Sequence, residues 1–463
     1  MSAPERPLRV AVVGSGPAGF YAAGALLAAE IPVEVDMIER LPTPWGLVRL
    51  GVAPDHENIK TVSRAFERIA ARPGFRFFGN VEVGGEIGHE DLVEVYDAVV
   101  YTFGAQTDRR LGIPGEDLPG SWPATAFVAW YNGHPDYQDL SFDLSHERAV
   151  VVGNGNVAID CARMLSLTQE ELAPTDTTDP AAEAIVNSGL REIVMLGRRG
   201  PAQASFTPPE LQELGELAGA DVVVDPADLE LDPASEAALE EDRDRARRNV
   251  EILREFAARE PSGKPRTLRL RFLVSPSAIL GDDRVEAVEV VHNELVLDER
   301  GRIAAVPTAR REVIPCGLVL RSVGYRGVGL PGVPFDERGG VIPNECGRVL
   351  GQDGRPLPGV YCAGWIKRGP SGVIGTNKKD ATETVRLLLD DAEEGCIGTS
   401  PREGRLEVLL EERGVGPVTY AAWEAIDAGE RERGTPLGRP RVKFTTWDEL
   451  IEAARAGVAG RSS

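Results

Sequence analysis

Apolar positions along the chain fall into short runs that repeat in a strand, turn, helix, strand order. Val10-Ala11-Val12-Val13 is a continuous apolar run, residues 20–29 are apolar at helical spacing, and Val33-Glu34-Val35-Asp36-Met37-Ile38 alternates before closing on Glu39. A continuous run reads as a strand buried on both faces, the kind found in parallel sheets covered by helices. The same order returns at 148–152, Arg-Ala-Val-Val-Val, with a helical pattern over 156–166 and a strand at 192–196 after a polar insertion at 168–188. Between these repeats, Asp97-Ala98-Val99-Val100-Tyr101-Thr102 is another buried-type strand. Residues 285–297 and 303–313 alternate around Asp298-Glu299-Arg300-Gly301, which predicts an antiparallel hairpin. Residues 240–260 read as one exposed helix in which six arginines are offset by seven acids. A strand at 359–363, a helix over 372–390 and a helix-rich acidic segment from Pro401 complete the pattern.

This order predicts an α/β protein with two Rossmann-like dinucleotide-binding domains, the second inserted in the first. The boundaries fall at 1–105 plus 325–463 for one domain and 106–324 for the other. A chain of 463 residues exceeds the ~250–300 residues at which a single core stops growing.

The turns between strand and helix carry the chemistry. The first is Gly14-Ser15-Gly16-Pro17-Ala18-Gly19. There the first glycine permits the tight turn, the second lets backbone approach a pyrophosphate, and the third lets helix pack on strand. Glu39 follows at the tip of the next strand, where a carboxylate holds a ribose hydroxyl pair. The second turn is Gly153-Asn154-Gly155-Asn156-Val157-Ala158, with alanine in the third glycine's place. Its strand tip carries Gly197-Arg198-Arg199 instead of an acid. Two guanidiniums there suit a 2′-phosphate, so the second site reads as NADP.

Charge narrows the function. The chain holds 73 acidic and 51 basic residues, a formal net charge of −22, which excludes binding nucleic acid or an anionic membrane through global positive charge. No apolar stretch is long enough to span a membrane, and the first residues lack the pattern of a secretory signal. The five cysteines and five histidines are scattered, which predicts buried free thiols in a reducing cytoplasm and no metal cluster.

Longer blocks surround the glycine turns: Pro44-Trp45-Gly46-Leu47-Val48-Arg49, Ile113-Pro114-Gly115-Glu116-Asp117, Leu196-Gly197-Arg198-Arg199-Gly200-Pro201 and Gly364-Trp365-Ile366-Lys367-Arg368-Gly369-Pro370. With them the chain, over about 9–389, resembles adrenodoxin reductase and its bacterial ferredoxin–NADP(+) reductase relatives, flavoproteins of glutathione-reductase-like architecture. The resemblance implies FAD in the first domain, held by Gly14, Gly16, Ala18, Gly19, Glu39, Leu47, the backbone near Val83, Trp365, Gly372, Val373 and Ile374. It implies NADP(H) in the second, held by Arg110, Asn154, Gly155, Asn156, Val157, Arg198, Arg199, Glu210 and Gly372. Relatives that carry a Gly-Asp pair at the position of Trp365 use an aspartate that is missing from this loop.

The implied reaction is hydride transfer from NADPH to FAD, followed by one-electron transfers to a small acidic iron–sulphur ferredoxin, with a cytochrome P450 chain as one destination. A monomer or weak dimer is the family expectation. His56 is the leading candidate for proton exchange, with Asp160 as its possible partner and Glu213 as a rival; Glu210 opens a helix after two prolines. Residues 40–76 carry seven basic and three acidic side chains, and residues 361–380 carry four and one, so a basic docking island including Arg64 and Lys367 is expected despite the net charge. Rival readings are a disulphide reductase, which the lack of any C-x-x-C pair disfavours, a flavin-dependent monooxygenase, an NADPH diaphorase or oxidase, and an electron-transfer subunit without turnover of its own.

Overall fold

The computed structural model describes residues 6–241, 245–299, 301–397 and 405–461. The chain divides into two compact units: residues 1–52, 56–107 and 324–463 form one, and residues 53–55 and 108–323 form the other.

The first unit is built on a sheet that, among the described residues, has seven strands. Their order is Asn344–Glu345, Arg348–Leu350, Pro356–Cys362, Ala98–Tyr101, Leu8–Val13, Val33–Ile38 and Phe75–Phe78. The last five are parallel, and the two short strands at the other edge are antiparallel. Side chains alternate between faces with a period of two. Val10, Val12, Val35, Met37 and Val100 pack on one side, while Ala11, Val13, Ile38, Val99 and Tyr101 pack on the other. Both faces are buried, which explains the near-continuous apolar runs. The helices Pro17–Leu26, Ser63–Ala70 and Ile374–Glu393 cover one face, the outer two packing against Pro17–Leu26. The acidic segment after 405 forms the helices Leu406–Glu412, Tyr420–Gly434 and Trp447–Arg461.

The second unit repeats the plan with six parallel strands among the described residues, in the order Ser121–Pro123, Leu318–Arg321, Arg148–Val152, Glu192–Leu196, Arg266–Arg271, Ala220–Val224. The expected hairpin is present as Ala287–Leu297 and Ile303–Pro315, but it belongs to a three-stranded sheet. Val274–Leu280 is the added strand. Its Ser275-Pro276-Ser277 run hides the apolar alternation, and its pairing is irregular between Pro276 and Ala278.

Of the helix expected over 240–260, the described parts are Pro233–Glu241 and Arg245–Ala257, and 242–244 lie outside the described residues. One further expectation is corrected. All five cysteines are free, but Cys346 and Cys396 are exposed instead of buried. Cys346 sits at positive φ in the turn between two short edge strands, where the side chain is turned out of the core.

Candidate functional site: two nucleotide loops

In the first unit the strand Leu8–Val13 ends at Gly14, whose φ is 102°. A Cβ there would lie 2.7 Å from the backbone of Phe103, so only glycine fits. At Gly16, by contrast, a Cβ would meet nothing within 4 Å. The loop therefore opens a space in front of the helix Pro17–Leu26, whose first N–H groups have no partner within the helix. Thr102 Oγ1 donates to the carbonyls of Val13 (2.9 Å) and Gly14 (2.8 Å), which fixes the loop to the neighbouring strand.

Glu39 stands one residue past the strand Val33–Ile38 and accepts from Ser15 N (3.0 Å), Ser15 Oγ (2.7 Å) and Leu41 N (3.1 Å). A carboxylate has about four acceptor sites, so one is left for a ligand hydroxyl. Trp45 is held at φ 84°, a strained value for a non-glycine residue, and its N–H donates to Ser15 O at 3.0 Å. Leu47 begins the single helical turn Leu47–Leu50 beside it. The Val83 side chain is buried in the core with Phe78, Ile87 and Tyr96, leaving only backbone for a ligand.

A second group of residues in the same unit bears unsatisfied donors. Trp365 and Arg368 lie on the helical turn after Gly364, and the buried Nε1 of Trp365 and Nε and Nη1 of Arg368 have no acceptor. The buried Trp45 Nε1 is likewise without one. Burial lowers the Arg368 pKa. Buried donors without acceptors are costly, so these four mark where an acceptor-rich ligand such as a flavin nucleotide fits. Gly372 (φ 81°), Val373 and Ile374 lead into the long helix Ile374–Glu393, with the Val373 side chain 61% exposed at the N-cap.

Asp380 escaped the sequence reading. Its buried carboxylate accepts from Gly364 N at 2.5 Å and pairs with Lys367 Nζ at 2.9 Å, so an acid does serve this loop, supplied by the helix. This corrects the expectation for Lys367. Its ammonium is also bonded to Thr384 Oγ1 (3.0 Å) and its side chain is 11% exposed, so it cannot serve as a docking cation. Arg49 and Arg76 are likewise used internally, paired with Glu430 and with Asp36 and Glu407. Arg64, Arg68, Lys378 and Lys379 remain exposed.

In the second unit Gly153 has φ 142° and backs onto Ser322 O, while a Cβ on Gly155 would meet only Ser205, at 4.0 Å. Asn154 O accepts from Ser205 N (2.9 Å) and Phe206 N (3.1 Å), and Asn156 Oδ1 accepts from Thr207 N (2.9 Å). Both asparagines thus shape the loop before the helix Asn156–Met164, on which Val157 occupies the first turn. Arg198 and Arg199 line a cavity of about 600 Å³ with residues of the antiparallel sheet. Among the described residues neither arginine forms an ion pair, and burial and the neighbouring Arg198 lower the pKa of Arg199. Two adjacent guanidiniums without a carboxylate fit a phosphate dianion. Arg110, in contrast, is exposed on a loop and paired with Asp117 and Glu116.

Asp160 lies on the helix Asn156–Met164 and accepts from Arg163 Nη2 at 2.9 Å; Arg163 also pairs with Asp55. Glu210 and Glu213 are half-buried on the helix Pro208–Leu214 of the same unit. His56 is buried at the N-cap of Glu57–Lys60 in the first unit, directly after Asp55.

Two glycine loops, each closing a parallel sheet against a helix N-terminus, define a protein of the two-dinucleotide oxidoreductase class. The family model described as pyridine nucleotide-disulphide oxidoreductase matches residues 8–195. The chain is 51% identical over 457 residues to NADPH-ferredoxin reductase FprA of Mycobacterium tuberculosis, covering 96% of this chain and 99% of that protein. It is 42% identical over 467 residues to the mitochondrial NADPH:adrenodoxin oxidoreductase of Arabidopsis thaliana, covering 98% and 96%. A solved structure of M. tuberculosis FprA in complex with NADPH superposes with a TM-score of 0.93 at 49% identity, covering 97% of this chain and all of that one. The chain belongs to the ferredoxin–NADP reductase family that contains these proteins. Among the described residues no helix is long and apolar enough to cross a membrane.

Proposed function

We propose that the protein is an FAD-dependent NADPH:ferredoxin oxidoreductase, with the net reaction NADPH + 2 oxidised ferredoxin → NADP+ + 2 reduced ferredoxin + H+. FAD, when bound, accepts the two electrons of a hydride and returns them singly, which suits a one-electron iron–sulphur acceptor. The observation that carries this reading is the contrast between the strand tips: a carboxylate, Glu39, in the first unit and, in the second, two arginines, Arg198 and Arg199, without an ion-pair partner among the described residues.

In this reading the loop from Gly14 to Gly19 receives the FAD pyrophosphate, with Ala18 in the first helical turn, and Glu39 binds its ribose. Trp45, Trp365 and Arg368 supply donors to its polar edge. Asn154 to Val157 receive the NADP pyrophosphate, and Arg198 and Arg199 receive the 2′-phosphate. His56 exchanges the proton that accompanies reduction. Asp160 acts at one remove as a positioning residue, through Arg163 and the Asp55 that precedes His56. Glu210 and Glu213 are acids of the nucleotide-binding unit, and the free thiols suit a reducing compartment. Anaerobic mixing of the yellow holoprotein with NADPH should bleach the flavin absorbance, and NADH should do so far more slowly. A colourless protein, or equal rates with the two nucleotides, rejects the reading.

The docking face for an acidic ferredoxin is the helix layer of the first unit, where Arg64 and Arg68 on Ser63–Ala70 and Lys378 and Lys379 on Ile374–Glu393 are exposed. Local positive charge steers an acidic partner over about 8 Å at physiological salt despite the overall −22. Arg64→Glu combined with Lys378→Glu should slow ferredoxin reduction roughly tenfold at low salt and leave ferricyanide reduction unchanged. Equal loss with both acceptors rules this surface out.

A further inference from the structure

The backbone of Gly197, Arg198 and Arg199 is held by the end of the strand Arg266–Arg271, by Leu273 and by the antiparallel sheet. Gly197 N donates to Arg271 O at 2.9 Å, and Gly197 O accepts from Val274 N at 3.0 Å. Arg199 O accepts from Leu273 N at 3.1 Å. The remaining carbonyl, that of Arg198, is taken by a side chain: Asn293 Nδ2 donates to it at 2.8 Å and also to Ser275 Oγ at 2.8 Å. Asn293 is 6% exposed and lines the same cavity as the two arginines.

Two features show that this arrangement is built in against local preference. Pairing between Ala287–Leu297 and Ile303–Pro315 shifts register between Val291 and Asn293, an irregularity of the kind that re-aims a side chain. Leu273, whose carbonyl accepts from Asn293 N at 2.7 Å, sits at φ 57°, a costly value for leucine. A strained turn, an irregular register and a buried amide converge on Arg198 and Arg199, whose guanidiniums have no carboxylate partner among the described residues.

Resting on the NADPH reading above, we propose that Asn293 is a positioning residue for coenzyme selectivity. Its amide fixes the Arg198 carbonyl, and with it the direction in which both guanidiniums leave the strand tip, so that they meet a 2′-phosphate together. Nicotinamide dinucleotide without that phosphate does not use the pair, and its binding is independent of Asn293.

The test is calorimetric titration of the oxidised FAD-loaded protein with NADP+ and with NAD+, accompanied by a thermal melt. Asn293→Ala should weaken NADP+ about tenfold and leave NAD+ within about twofold. Asn293→Leu, close in size and without the amide, should behave alike. Ser275→Ala, which removes only the second acceptor of that amide, should weaken NADP+ by a smaller factor and keeps the test open should the Asn293 variants not fold. Unchanged NADP+ affinity, or equal loss for both nucleotides, overturns the proposal while the NADPH reading stands. A wild-type protein that binds NADP+ and NAD+ equally overturns both.

Discussion

At the end of the strand Val33–Ile38 stands one carboxylate, Glu39; at the corresponding end of Glu192–Leu196 stand two guanidiniums, Arg198 and Arg199. Up to that point the two loops share a plan: a glycine at positive φ backs onto a neighbouring strand's exit, a second glycine faces open space, and a helix begins. On the proposed reading, the backbone sets where a pyrophosphate goes and the strand-tip side chain sets which ribose is accepted. The tips also differ in how they are held. Glu39 is satisfied by its own loop, through Ser15 and Leu41. Among the described residues the arginines are held only by their backbone, with two like charges side by side. On the proposed reading the acid tip is held in place before its ligand arrives, with one acceptor site to spare, whereas the arginine tip carries a repulsion that an anion would relieve.

The largest expected effect removes one side of this comparison. Glu430→Ala leaves Arg49 buried without its carboxylate, beneath the Trp45-Gly46 turn that packs on Gly16. Breaking such a pair costs about 3–5 kcal/mol. Calorimetric melting should show the first unit destabilised and FAD lost more readily, with NADP+ binding by the second unit preserved; an unshifted melt contradicts this. Next, Arg199→Ala should weaken NADP+ roughly a hundredfold and leave NAD+ unchanged, as read by titration, because one charge-assisted bidentate contact disappears.

The two units should also answer pH in opposite senses. Burial raises Asp108, in the second unit, from its usual value to about 6, so its contribution to stability is present below about 3.8 and is lost as pH rises toward 6. Burial lowers His89, in the first unit, where its Nδ1 lies 2.6 Å from Tyr101 Oη. Its contribution is present above the ordinary histidine value of 6.5 and is lost as pH falls below it. Asp108→Asn should therefore stabilise the protein by about 2 kcal/mol at pH 7.5 and by nothing near pH 3.5, measured by denaturant titration. A gain that is equal at both pH values would remove the assigned cause. The smallest effect is Glu39→Gln, expected to speed FAD release about tenfold without altering the preference for NADP+ over NAD+. A change in that preference would mean the loops are not independent.

Both glycine loops and their tips were legible in the sequence because their motif residues lie within about 50 residues, strand to strand, although Thr102 and Ser322, which brace the loops, lie further off. The antiparallel sheet was legible only in part, since Pro276 and its flanking serines mask the third strand. Lys367 looked like a surface cation because Asp380, one helix further on, could not be seen to fold back onto it. The same limit hid Asn293, whose partner Arg198 is 95 residues away, and Glu430, which is 381 residues from Arg49. Spacing reveals a motif but not the distant group that holds it in place.

That last separation has a temporal side. Glu430 is synthesised 381 residues after Arg49, and between them the whole second unit is made. The nascent first unit has its central strands early, but it lacks Pro356–Cys362, the Trp365 turn and the anchor for Arg49 until the inserted unit has been made. On the proposed reading, firm capture of flavin therefore follows synthesis of the inserted unit, which has had time to fold first.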